Sequence, residues 1–259
     1  MNDAAGNMPR QSRMGPLNPP PETLLEGASL FLDFDGTLVE IATRPDGVRV
    51  DAGLRDLIHS LAGALDGRLA IVSGRPVDAI AEFLGEGFAI SGSHGIEMRW
   101  ADGHCEAPPR PDSLPHVRAE MQRFAATNSG VLVEDKPFGA GLHYREAPEL
   151  EPQARALAER LAQETGLYLQ AGKMVFELRV EGHDKGTAIT RFMNSAPFHG
   201  HRPIFLGDDV TDEDGFEAVV AMGGAGVLIG AERQTHAEYR LEDVGMTLAW
   251  LAKAMEVLR

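Results

Sequence analysis

Asp33-Phe34-Asp35-Gly36-Thr37 sets two carboxylates two residues apart, directly behind the apolar run Ser29 to Phe34. Two aspartates on a loop leaving a strand can converge on one site, and there they need a cation, or one must stay protonated. Ser73-Gly74-Arg75 follows a second apolar run, Leu69 to Val72, just ahead of a helix starting near Pro76. A hydroxyl beside the unpaired N–H groups of a helix start makes an anion site. Asp184-Lys185-Gly186 opens a further predicted helix and supplies an ammonium. Gly207-Asp208-Asp209-Val210-Thr211-Asp212-Glu213-Asp214 follows the run Ile204 to Leu206 and crowds oxygen ligands of the kind a hard divalent cation takes. Each string also has a plain structural reading: an Asp-Gly turn, a serine cap, a solvated lysine, an acidic helix start favoured by the dipole. Their shared placement sets them apart, because ligands of parallel sheets collect at the carboxyl ends of strands.

The elements that must carry these strings follow from hydrophobic spacing. Asp51 is placed to cap a helix whose Leu54, Leu57, Ile58, Leu61 and Leu65 share one face. Phe88 to Ile90, Pro203 to Leu206 and Gly226 to Ile229 read as further buried strands, and Val244, Leu248, Leu251, Met255 and Leu258 as the stripe of a last helix. Strands alternating with helices predict a doubly wound parallel sheet. The middle of the chain differs. Helices near Ser113 to Ala126 and Leu150 to Thr165 are each followed by two strands: Val131 to Glu134 and Gly141 to Arg145, then Tyr168 to Gln170 and Lys173 to Val180. Tight turns between paired strands predict antiparallel hairpins. The expected organisation is a disordered tail over 1–24, a core over 25–107 and 183–259, and an α+β insert over 108–182.

The 259 residues suit one large domain or two small ones, and 43% hydrophobic residues are ample for a core. A net charge of −15 makes nucleic acid and anionic membranes poor partners. The single cysteine, Cys105, excludes an internal disulfide framework or a cysteine-rich metal site. No apolar run reaches the roughly 18 residues of a membrane helix, and the proline-rich start lacks a signal-peptide core. A monomeric, cytoplasmic protein is expected.

The four strings, in this order and spacing, resemble the haloacid dehalogenase-like (HAD) phosphohydrolase superfamily over about residues 29 to 230. Within it the chain resembles the trehalose-phosphate phosphatase family. That resemblance rests on Ser73-Gly74-Arg75-Pro76, Gly92-Ser93-His94-Gly95-Ile96-Glu97, His143-Tyr144-Arg145, Lys173 with Glu177 four later, and the string from Gly207 to Asp214. Asp184 departs from the asparagine that many relatives carry there. The resemblance implies an α/β fold: a Rossmann-like, HAD-like doubly wound core with an inserted cap acting as a lid. It implies Mg²⁺-dependent hydrolysis of trehalose 6-phosphate, the last step of trehalose synthesis. Related phosphatases for sucrose or mannosylglycerate phosphates would share the core motifs. A phospho-receiver signalling domain would also combine acidic residues, Thr and Lys, but needs neither Asp35 nor the insert.

The implied roles are as follows. Asp33 attacks phosphorus; Asp35 protonates the leaving oxygen and then activates water; Ser73 and Lys185 hold the phosphoryl oxygens. Mg²⁺ is held by Asp33, the Asp35 carbonyl and Asp208, with Asp209 and Asp212 open between direct ligation and the surrounding shell. Residues of the last strand alternate, so Lys173, Val175, Glu177 and Arg179 share one face and Met174, Phe176, Leu178 and Val180 the other. A Lys173–Glu177 pair with Arg145 is expected to grip the distal glucose, and Arg75, His94 and Glu97 to border the sugar from the core. His143 is expected to be structural and Cys105 incidental.

Overall fold

A computed structural model describes residues 16–41, 47–172 and 174–259. The chain divides into two compact units, one combining the sequence up to Glu106 with Asp184–Arg259, the other Ala107–His183.

The first unit is built on a sheet of eight strands. These are β1 (Ala28–Leu32), β2 (Leu69–Val72), β3 (Ala89–Gly92), β4 (Glu97–Arg99), β5 (Cys105–Glu106), β10 (Arg202–Gly207), β11 (Ala225–Ile229) and β12 (Tyr239–Leu241), in the order β12-β11-β10-β1-β2-β3-β4-β5. Pairing from β12 through β3 is parallel, while β4 and β5 add an antiparallel edge. The doubly wound core expected from the sequence is present. The edge hairpin went unread because strands of three and two residues carry no hydrophobic period.

Strand alternation builds two cores, one on each face. Leu30 and Leu32 of β1, Ile71 of β2, Ile204 and Leu206 of β10 and Val227 of β11 join one cluster with α1 (Ala52–Ala64), α2 (Val77–Leu84) and α7 (Val244–Val257). Phe31, Ala70, Val72, Phe205 and Leu228 point the other way, against α5 (Lys185–Met193) and α6 (Glu213–Ala221). Aspartates start three of these helices: the side chains of Asp51, Asp184 and Asp243 accept from the N–H groups of Leu54, Thr187 and Met246.

The expected disordered tail is corrected over residues 16–24; residues 1–15 lie outside the described residues. Glu22–Leu25 forms a 3₁₀ turn that buries Leu24 and Leu25 in the first cluster. Leu17 packs on the second cluster, the Asn18 carbonyl accepts from the Arg240 N–H (3.0 Å), and that of Leu24 accepts from Arg202 (2.7 Å). Prolines make this possible without apolar periodicity. They restrict the unfolded chain, so laying an extended segment along the core loses less entropy.

The second unit pairs β6 (Leu132–Lys136), β7 (Gly139–His143), β9 (Val175–Arg179) and β8 (Tyr168–Gly172) in that antiparallel order. Helices α3 (Leu114–Thr127) and α4 (Glu151–Thr165) join Ala140, Leu142, Phe176 and Leu178 in a separate core. Among the described residues no helix is long and apolar enough to cross a membrane.

Candidate active site

Sheet order explains why the distant strings meet. β1 lies between β10 and β2, so the loops carrying Asp33, Ser73 and Asp208 leave neighbouring strands at the same end. The Asp33 N–H still donates to Leu206 (2.9 Å), fixing the first carboxylate against β10. Two glycines allow the close approach. A Cβ on Gly36, whose φ is +87°, would lie 2.1 Å from the Asp208 carboxylate, and one on Gly207 would lie 2.4 Å from that of Asp212.

Lys185, buried at the start of α5, donates to Asp33 Oδ1 (2.6 Å) and to Asp212 Oδ1 (2.5 Å). The other Asp212 oxygen accepts the backbone N–H groups of Asp208 and Asp209, both at 2.9 Å. Both oxygens of this fully buried carboxylate thus accept hydrogen bonds that hold Lys185 and the acidic loop. Asp209 is exposed, and its side chain accepts from the Val210 N–H (2.7 Å). The string gave no means of telling these two aspartates apart; their hydrogen bonds do. Asp212→Ala would leave the Lys185 ammonium with Asp33 alone and strand two N–H groups without this acceptor. Breaking such a buried network costs about 3–5 kcal/mol, an expected loss that urea unfolding can measure; a loss below about 1 kcal/mol would mean the network is dispensable.

Oxygens of Asp33, Asp208 and Asp212 lie within 4.8 Å of one another. Burial, then the neighbouring carboxylates Asp212 and Asp208, raise the Asp33 pKa well above the carboxylate range, against the pull of Lys185. Asp208 rises to about 7, chiefly by burial and then by repulsion from Asp212. Burial would lower Lys185, but Asp212 and Asp33 outweigh it and keep the ammonium charged. Three carboxylates against one ammonium call for further positive charge. The donors are hard oxygens without sulfur or imidazole, which suits a small divalent cation such as Mg²⁺.

Ser73 is buried at the end of β2, where its Oγ accepts from the Arg75 N–H (3.1 Å), leaving its O–H to donate. Arg75 forms a fork with Asp35, Nε to Oδ2 at 2.6 Å and Nη2 to Oδ1 at 2.8 Å. Ser93, His94 and Gly95 all have positive φ, at 50°, 57° and 94°. This strained backbone sets the His94 imidazole over Gly74, where a Cβ would meet it at 2.5 Å, and joins the His94 N–H to the Ser73 carbonyl (3.0 Å). Glu97 supports that loop, accepting from Ser93 Oγ (2.5 Å) and the Val77 N–H (3.4 Å).

The expected sugar-gripping trio lies in the second unit. Lys173 lies outside the described residues. Glu177 accepts from Lys136 at 2.5 Å. Arg145 occupies an exposed turn past His143, whereas Glu177 pairs in register with Gly141, so the two are not brought together. The face opposite the core carries Glu134, Lys136, Glu177 and Arg179; Glu134 also meets His143 (2.9 Å) and Arg179 meets Gln170 (2.7 Å). Glu177 and Arg179 are only 9% and 8% exposed, which is unusual for unneutralised side chains and fits a polar network. Lys136 could have been found by noting that β6 and β9 both lie beside β7, whose glycines leave room across it.

Comparison with known proteins agrees with this geometry. The sequence profile of the trehalose-phosphatase family matches residues 31–244. The chain is 39% identical over 241 residues to the trehalose-6-phosphate phosphatase of Escherichia coli (strain K12), spanning 91% of this chain and 89% of that protein. It is 38% identical over 211 residues to a probable trehalose-phosphate phosphatase of Sinorhizobium fredii, covering 80% of each. A crystal structure of a trehalose-6-phosphate phosphatase related protein superposes with a TM-score of 0.77 at 29% identity, covering 88% of this chain and 97% of that one.

Proposed function

The chain belongs to the trehalose-phosphatase family, and from that premise we propose that it hydrolyses trehalose 6-phosphate to trehalose and inorganic phosphate, with Asp33 as the nucleophile. The observation that carries this reading is the buried contact of Asp33 with Lys185, beside Asp208 at the strand ends. Asp33 attacks phosphorus and forms an aspartyl-phosphate. Asp35 hands its proton to the departing sugar oxygen, then takes one from the water that releases phosphate. The Ser73 hydroxyl and the Lys185 ammonium hold phosphoryl oxygens, and Asp212 keeps Lys185 aimed. A carboxylate oxygen of Asp33, the Asp35 backbone carbonyl and Asp208 would hold Mg²⁺. When bound, it neutralises the clustered charge so that Asp33 stays ionised. Charged sugar phosphates do not cross membranes, which favours the cytoplasm.

Sugar recognition is assigned to Glu177, with Lys136 as its partner, and to His94 and Arg145; the Arg75 guanidinium is held on Asp35, and Glu97 acts by holding the loop. An uncharged disaccharide is distinguished by hydrogen bonds to its hydroxyls, and a bond to a charged group is worth roughly 1.5–3 kcal/mol. Glu177→Ala is therefore expected to lower kcat/KM for trehalose 6-phosphate about ten- to a hundredfold. A small aryl phosphate should lose much less, and equal losses would mean that Glu177 serves the fold.

The reading itself is tested by phosphate release from trehalose 6-phosphate, sucrose 6-phosphate, a mannosylglycerate phosphate and an aryl phosphate, with and without Mg²⁺. Trehalose 6-phosphate is expected to lead by kcat/KM. Preference for another sugar phosphate would overturn the substrate while leaving the chemistry.

A further inference from the structure

Both carboxylate oxygens of Asp35 accept from the same guanidinium, at 2.6 and 2.8 Å. This fork is the strong, orientation-fixing form of the arginine–carboxylate contact. It also stands on a rigid support. The Arg75 guanidinium carbon lies 5.7 Å from the centre of the Phe34 ring and 5.4 Å from that of Phe83, and those rings stack on each other. The Arg75 backbone is tied down as well: its N–H donates to Ser73 Oγ (3.1 Å) and its carbonyl accepts from the Ser93 N–H (2.9 Å). Exposed ion pairs are usually worth little, but the Arg75 side chain is only 17% exposed.

A carboxyl group that protonates a leaving oxygen must turn one oxygen toward it, and here Arg75 holds both. We infer that Arg75 is the positioning residue of Asp35. It holds the carboxylate in the fork between turnovers, then yields one of the two bonds as the ester enters, so that the freed oxygen takes up a proton from solvent and Asp35 pivots on the bond that remains. The inference rests on the acid–base reading of Asp35 given above. The chemistry balances. As the Asp33–phosphorus bond forms, the phosphorus–ester oxygen bond breaks and that oxygen takes the Asp35 proton. Water then adds its oxygen to phosphorus and its proton to Asp35, freeing Asp33 and phosphate, and Asp35 returns that proton to solvent as the fork re-forms.

The test uses first-turnover kinetics of the full-length protein on phosphate monoesters of graded leaving group, from trehalose 6-phosphate to p-nitrophenyl phosphate. A nitrophenolate leaves without a proton, whereas a sugar alkoxide does not. Arg75→Met is expected to lose about 10²–10³-fold on trehalose 6-phosphate, mainly in the rate of the step, the size of a general-acid contribution. On p-nitrophenyl phosphate its loss is at least tenfold smaller. Arg75→Lys, which keeps the charge but cannot form the fork, shows the same skew and carries the test if the methionine variant folds poorly. Equal losses across leaving groups, a loss confined to KM for trehalose 6-phosphate, or no loss would each overturn the inference. Asp35→Asn separates the two ideas. If it shows no skew, the acid–base reading fails and the inference with it. If it alone shows the skew, only the role of Arg75 fails.

Discussion

Asp33→Asn abolishes hydrolysis of trehalose 6-phosphate while the protein stays folded. The rate is expected to fall by roughly 10⁴ or more, on the scale that removing a hydrolase's nucleophile costs. An amide cannot form the acyl-phosphate bond, and the remaining groups have nothing to pass the phosphoryl to. Stability goes the other way. Burial and the acidic neighbours already disfavour the charged form of Asp33, so a neutral, nearly isosteric side chain should not lower the melting temperature. Lys185 keeps its contact with Asp212. Near-normal turnover by this variant would remove Asp33 from the mechanism. A large fall in melting temperature would show that its charge is needed by the fold.

Removing divalent cations with a chelator is expected to stop turnover, and Mg²⁺ to restore it. The same binding has a readout without substrate. Asp208 rises from 3.8 to about 7 in the folded protein. A raised carboxylate pKa means that the cation-free native state binds more protons than the unfolded chain across that window. Its contribution to stability is complete below the lower value and is lost as pH rises through the upper one. Cation binding displaces that proton, so Mg²⁺ affinity should rise about tenfold per pH unit below pH 7 and level off above it. The gain in melting temperature on adding Mg²⁺ should therefore be larger near pH 8 than near pH 5.5, roughly one and a half affinity decades apart. An equal gain at both values would place the cation away from Asp208.

Much of the core was legible because period-two burial and strand-end chemistry are local signals. Leu30, Phe31 and Leu32 divide between two cores as a strand covered on both faces must, and Asp33 follows at the end where a parallel sheet gathers ligands. The rest depended on contacts that spacing does not encode. Asp209 and Asp212 look alike in an acidic string, and only the turn of the loop gives Asp212 to Lys185. Glu177 also meets Lys136, which comes from β6 across two glycines of β7, a contact that the spacing along one strand does not encode. Arg75 was read toward sugar because nothing in Ser73-Gly74-Arg75 shows that its guanidinium reaches back to Asp35. The proline-rich segment misled for a different reason. Low apolar periodicity argues against a helix or strand, but not against an extended segment pinned by Leu17, Leu24 and Leu25.

The most direct test of the central claim is to catch the phosphoryl group on the chain. Asp35→Asn, turning over p-nitrophenyl phosphate labelled in the phosphoryl group, whose leaving group needs no proton, is quenched in acid, digested and mapped by mass spectrometry. Without its base the variant should discharge slowly, so label should accumulate on the peptide that begins at β1 and reside on Asp33, released by hydroxylamine as an acyl phosphate is. Label on another residue, or none on the chain while nitrophenolate and phosphate still form, would contradict the account.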